Sequence, residues 1–208
     1  MQMPKNENLK PAELMPAGMH PALCYIFADL GYHEVTFEGK TSVARKIVYA
    51  WEFPNTLRED GSPFVKSQEY KANLWPGTKG GMKGNPSALY NLLNSWVGLG
   101  PADVDSFDPA CVVGKPCLIN IVHAPDKKDP KKIYANIASV TPPIQGMPIP
   151  AGVNPPVVYD PTGNADAAKD AYDKLPKWMQ EKISAALQSD DTGASAGKVA
   201  DDDIPFWA

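Results

Sequence analysis

The residues of this chain best equipped for chemistry are flat rings and long cations at regular spacing. Arg45, Tyr49, Trp51 and Phe53 share one side of a segment that alternates from Val43 to Phe53, with Lys46 on the other side. Lys66, Tyr70, Lys71 and Trp75 follow, ahead of a glycine-rich stretch that holds Lys79 and Lys83. Lys127, Lys128, Lys131 and Lys132 then crowd a loop in front of Tyr134. Rings and cations together suit one kind of partner: unpaired nucleobases lie flat on aromatic faces, at ~1–3 kcal/mol per base, while ammonium and guanidinium groups track the phosphates. These residues are the candidate nucleic-acid contacts. Alternation does not say which face of a strand is buried, so Tyr49, Trp51 and Phe53 read equally as core or as platform. Arg45 and Lys46 are neighbours and point to opposite faces, so only one of them serves a common ligand.

Other chemistry finds no carrier. His20, Cys24, His33, Cys111, Cys117 and His123 include no C-x-x-C pair, and Cys24 and Cys117 fall inside apolar runs where cysteine behaves as a small hydrophobe. No metal site is expected. The chain has no G-x-S-x-G and no HExxH, and residues 77–84 carry glycines without the Lys-Ser/Thr of a phosphate loop. The acids before residue 160 are scattered, not gathered as a nuclease's metal ions require. A binding protein without cofactor or catalysis is the expectation.

Strands and one helix must position those side chains. Residues 22–30 have the aromatic and branched content of a first strand, closed by Gly31; residues 43–53 and 64–74 alternate as a second and third. Residues 75–84, rich in Gly and Lys, read as irregular. Asn85-Pro86 opens a helix that Gly98 ends, with Leu89, Leu92, Leu93, Trp96 and Val97 on one stripe. Residues 116–123 and 133–140 are the fourth and fifth strands. Three strands, a helix and two strands is the order of a mainly β, five-stranded OB-fold barrel, whose second and third strands and joining loops form the binding face.

Around that domain the composition changes. Residues 1–19 mix prolines with polar residues and read as a loose arm, leaving residues 20–145 as the barrel. Residues 146–174 are rich in proline and read as an extended linker, followed by a short amphipathic helix over 175–188 built on Leu175, Met179, Ile183 and Leu187. Residues 189–208 have the composition of a disordered acidic tail.

The net charge of −4 conceals a partition. Residues 1–159 hold 15 basic and 14 acidic side chains, a net of +1, while residues 160–208 hold 5 and 10, a net of −5. The three cysteines suit no standard disulfide framework and no signal-peptide-like stretch precedes them, so the expected compartment is a reducing cytoplasm. No apolar run approaches the ~20 residues of a membrane-spanning helix.

The chain closes Asp201-Asp202-Asp203-Ile204-Pro205-Phe206, followed by Trp207 and Ala208. Three carboxylates would steer this segment to a basic rim, where Ile204 and Phe206 fill an apolar pocket. The six residues resemble the C-terminal tip by which bacterial single-stranded-DNA-binding proteins recruit replication and repair enzymes, although there the phenylalanine is terminal. The folded part is similar to a family of phage and prophage proteins that bind single-stranded DNA through an OB-fold. That likeness rests on Gly18-Met19-His20-Pro21-Ala22, Arg45-Lys46, Trp51-Glu52-Phe53-Pro54, residues 114–120, Tyr134-Ala135-Asn136-Ile137 and Leu175-Pro176-Lys177-Trp178. It implies a protein that coats single-stranded DNA in the cytoplasm of a bacterial host, and whose tail recruits replication or recombination proteins. An adaptor that binds duplex DNA or RNA and scaffolds a polymerase, helicase or recombinase is the alternative.

Overall fold

A computed structural model describes residues 13–37, 39–126, 129–149 and 151–187 of the chain. It is mainly β. Strand β1 (Gly18–Phe37) folds back as β2 (Lys40–Leu57), which returns as β3 (Pro63–Lys71). A two-residue hairpin, β4 (Thr78–Lys79) and β5 (Met82–Lys83), leads to helix α1 (Ala88–Val97). After a single 3-10 turn at Pro109–Val112 come β6 (Pro116–Pro125) and β7 (Ile133–Thr141). The short strand β8 (Val157–Tyr159) and helices α2 (Ala165–Lys174) and α3 (Lys177–Ser184) complete the described chain.

The long strands lie in the order β3-β2-β1-β6-β7, all antiparallel, with β8 parallel to β1. The sheet is open: β3 and β7 are its edges and do not pair. Both edges are instead tied to the α1 segment. Ser95 donates its hydroxyl to the Val140 carbonyl of β7 at 3.0 Å, and Ser87, the residue that caps α1, donates to the Asn73 carbonyl just beyond β3 at 2.6 Å. The cap is Ser87, two residues later than Asn85, because its oxygen also accepts the Tyr90 N–H that opens the first turn. Gly98 ends the helix at φ 72°, as its position after the apolar stripe predicts.

Strand β1 runs past Gly31 because two irregularities bend it without ending it. A register shift between Cys24 and Ile26 inserts one extra residue, so Cys24 and Phe27, three apart, face the same side. Ile26, Ala28 and Leu30 consequently face the other. The sheet therefore has two buried faces. On the first, Ile47, Tyr49, Trp51, Phe53, Phe64 and Tyr70 meet Leu89, Leu93 and Trp96 of α1. On the second, Ile26, Ala28, Leu30, Val48 and Ala50 are covered by Val157, Tyr159, Ala171, Leu175 and Met179.

The second face corrects the expectation of an extended linker over 146–174. Val157, Val158 and Tyr159 extend the sheet beside Ile26, Phe27 and Ala28, on the edge that β6 vacates after Leu23. Asn164 caps α2 by accepting from the Asp166 and Ala167 N–H groups. Met179 of α3 is fully buried, worth about 1.5–3 kcal/mol by transfer alone. Past α3 the Leu187 N–H donates to the Tyr32 carbonyl at 2.9 Å, and a Cβ on Gly31 would meet the Ala186 methyl at 2.8 Å. Only glycine admits so close a crossing, and its φ of 80° suits no side chain.

Two smaller expectations change as well. Residues 78–83 are a tight hairpin whose Gly80 and Gly81 both take positive φ, the turn that fits the strand twist. Residues 13–19 are anchored: Met15 is buried in the first core and Glu13 accepts the Glu59 N–H at 3.0 Å. Residues 1–12 lie outside the described residues.

Glu52 fixes the crossing between the two halves of the chain. Its carboxylate, 1% exposed, accepts from Val153 N, Asn154 N and Asn154 Nδ2 at 2.9, 2.9 and 2.6 Å. Charge-assisted bonds of this kind contribute more than neutral ones. No helix of the described residues is long and apolar enough to cross a membrane.

Candidate nucleic-acid interface

The rings expected to form a stacking face are core residues. Tyr49, Trp51 and Phe53 are 0% exposed and Tyr70 is 7% exposed, so none offers a face to a ligand. Ring centroids stand 5.8 Å apart for Tyr49 and Trp51, 6.1 Å for Tyr49 and Tyr70 and 6.2 Å for Trp51 and Trp96. The physical reason is α1, whose leucine stripe needs an apolar floor, and this side of β2 supplies it. Tyr49 donates its hydroxyl to the Pro109 carbonyl at 2.9 Å, and burial pushes the phenols of Tyr49 and Tyr70 well above their ordinary range. Trp51 Nε1 is buried with no acceptor among the described residues, a desolvation cost of about 1–3 kcal/mol that the packing of its ring must offset. Trp75 is half-buried, its N–H bonded to Asn73 Oδ1 at 2.9 Å and its carbonyl to the Ser87 N–H.

The cations divide among three places. Arg45 belongs to an ion pair: its Nε donates to Asp29 Oδ2 at 2.7 Å, and Asp29 is only 4% exposed. That hydrogen bond holds the guanidinium even more firmly protonated than usual, so Arg45 is committed to neutralising a buried carboxylate and not to a phosphate. Lys46 faces Lys71 across β2 and β3, and the repulsion is relieved by Glu69, 3.8 Å from Lys46 Nζ. Glu69 also takes Lys182 of α3, a partner that strand spacing alone does not reveal. Lys83 is exposed on the β4–β5 hairpin. The side chain of Lys79, together with Lys127, Lys128 and Asp201, Asp202, Asp203, Ile204, Pro205 and Phe206, lies outside the described residues.

The third place brings expected residues together. Lys131, Lys132 and Tyr134 are all exposed, Tyr134 at 49%, with Ile133 between them at 52%. The loop that carries them is built on aspartates: Asp126 accepts from Asp129 N at 2.8 Å, and Asp129 accepts from Lys131 N at 3.3 Å. Register sets its location. Gly18 at the start of β1 lies beside Ile121 of β6, and Leu23 lies beside Glu52 of β2. Both partners run antiparallel to β1, so the β6–β7 loop and the β2–β3 turn emerge at the same end of the sheet.

At that end the structure adds Arg58, which the alternation did not single out because it falls just past β2. Its guanidinium lies 4.9 Å over the Phe64 ring, and its N–H donates to the Ser62 carbonyl at 2.8 Å. The local signal is an arginine two residues before Asp60-Gly61, a turn pair that returns the strand. Lys66, half-buried and facing Trp51 across the strands, completes the group. Burial first and the Arg58 charge second lower the basicity of its ammonium.

The three histidines each bond a different part of the chain, while Cys24 and Cys117 share the first core. His20 bonds Thr56 Oγ1 and the Pro16 carbonyl, His33 the Leu30 carbonyl and His123 the Met15 carbonyl. Cys24 and Cys117 are buried, which pushes their thiols up. Among the described residues no three His, Cys, Asp or Glu side chains are grouped to hold a metal ion. Comparison of the chain with family models, curated proteins and solved structures finds no match.

Proposed function

We propose that the protein binds single-stranded DNA without sequence preference, in the cytoplasm of a bacterial host, and recruits replication or recombination proteins through its acidic C-terminal tail. The observation that carries this reading is the exposed Tyr134, beside Ile133, Lys131 and Lys132, at the end of the sheet that also bears Arg58 and Lys66. An exposed ring among cations suits an unpaired base and its phosphate, and suits a stacked duplex poorly. The strand order β3-β2-β1-β6-β7, with α1 between β3 and β6, further supports the reading, being that of an OB-fold opened between its third and fifth strands.

A fluorescence titration with a dT oligonucleotide tests the proposal. With some four to six phosphates neutralised, log affinity falls against log salt with a slope of roughly −3 to −4. Tyr134→Ala lowers affinity by ~10-fold, near 1.4 kcal/mol, at an unchanged melting temperature because the ring is half exposed. Absence of binding at ~50 mM salt, where phosphate contacts are strongest, would overturn the proposal. Duplex DNA and RNA competitors in the same assay establish whether unpaired DNA is preferred.

The tail has its own expected result. Deleting residues 201–208 preserves or raises affinity for the oligonucleotide, since the segment's carboxylates compete with phosphate for cations, and it abolishes capture of the recruited partner. Loss of oligonucleotide binding on truncation would reverse this division of labour.

A further inference from the structure

Arg58 and Lys66 are neighbouring cations at the β2–β3 end of the sheet, both half-buried. Among the described residues no carboxylate lies within 4.0 Å of either. The acids of that end hold other hydrogen bonds: Asp60 accepts from the N–H and hydroxyl of Ser62 at 2.9 and 2.6 Å, with the Arg58 charge a smaller influence on it, and Glu13 accepts from the Glu59 N–H. Lys40, Lys83, Lys115, Lys131, Lys169 and Lys177 likewise have no carboxylate within 4.0 Å among the described residues, but all six are exposed, whereas Arg58 and Lys66 are half-buried, and that is what sets the pair apart.

Lys66 is drawn half out of water beside a like charge, an unfavourable position unless an anion arrives. The Arg58 guanidinium lies 4.9 Å over the Phe64 ring, a contact that restricts the side chain and lowers the entropy lost when a ligand is gripped. A phosphate suits this pair best: its oxygens accept from the guanidinium fork and the ammonium together.

We propose that Arg58 and Lys66 form the primary phosphate subsite of this protein, gripping one phosphodiester of the strand whose base stacks at Tyr134. The proposal rests on the single-stranded-DNA reading for its ligand and on the geometry of the β2–β3 turn for its place.

The full chain and its Arg58→Gln, Lys66→Gln and double variants are compared in two measurements, dT oligonucleotide titration and thermal melting with inorganic pyrophosphate. In the double variant oligonucleotide affinity is expected to fall by about tenfold or more and the salt slope to lose ~1.4. Lys66→Gln alone lowers affinity while leaving the melting temperature equal or higher, because it removes a desolvated cation. A merely structural role for Lys66 predicts the opposite sign in the melt. Pyrophosphate raises the melting temperature of the wild type and not that of the double variant. Wild-type oligonucleotide binding with unchanged affinity and slope in the double variant overturns the subsite and leaves the function standing. Pyrophosphate stabilisation that depends on Lys66, without oligonucleotide binding, overturns the function and leaves the subsite standing.

Discussion

Trp51→Ala is expected to destabilise the protein by about 3–5 kcal/mol, the usual cost of emptying a buried aromatic site. For a chain of this size that corresponds to a fall in melting temperature on the order of 10 °C. Trp51 is 0% exposed, between Tyr49 on its own strand and Trp96 of α1, so its removal leaves a cavity that two other rings line. Trp51→Phe costs less than its volume suggests, because the N–H it deletes has no acceptor among the described residues. Oligonucleotide affinity of the folded fraction should be unchanged in both variants. A Trp51→Ala protein that melts like the wild type yet fails to bind DNA would restore this ring to a stacking platform and overturn its place in the core.

The second large effect concerns the C-terminal third. A chain ending at Pro156 loses β8, α2 and α3, and with them the cover over Ile26, Ala28, Leu30, Val48 and Ala50, all 2% exposed or less. A contiguous apolar patch on the middle of a sheet, beside a newly opened edge on β1, invites association. That chain is expected to be recovered as aggregate, or to bind a hydrophobic dye without a cooperative melt. A chain ending at Leu187, which keeps the bond from its N–H to Tyr32, should melt with the full-length protein. Equal melting of both truncations would show that the second core contributes nothing and that residues 157–187 serve as a linker.

Both predictions turn on what a periodic pattern conveys. The five long strands and α1 were legible because each satisfies its own local rule: apolar alternation over 43–53, a leucine stripe closed by Gly98, and short apolar runs bounded by Gly114 and Pro125. So was the exposure of Lys131, Lys132 and Tyr134, since a polar, lysine-rich loop between two strands has nowhere to go but the surface.

The side of β2 that would be buried was not legible. Period 2 separates Tyr49, Trp51 and Phe53 from Val48 and Ala50, but both sets are apolar and both proved buried. What separates the faces is which helix arrives on each, and that depends on residues some 40 and 120 positions away along the chain. Val157-Val158-Tyr159 likewise reads as part of a proline-rich linker, because Pro155, Pro156 and Pro161 flank it and a parallel pairing with Ile26–Ala28 leaves no local mark.

Charge behaved in the same way. The sequence by itself determined how many cations the chain carries and roughly which loops and strands hold them. Only the tertiary structure decided which are paired: Arg45 with Asp29, and Lys46 and Lys182 with Glu69, while Arg58 and Lys66 have no carboxylate within 4.0 Å among the described residues. The reason is range. Secondary structure follows from contacts between near neighbours in sequence, whereas an ion pair or a buried face requires that distant segments meet, and their meeting is fixed by packing.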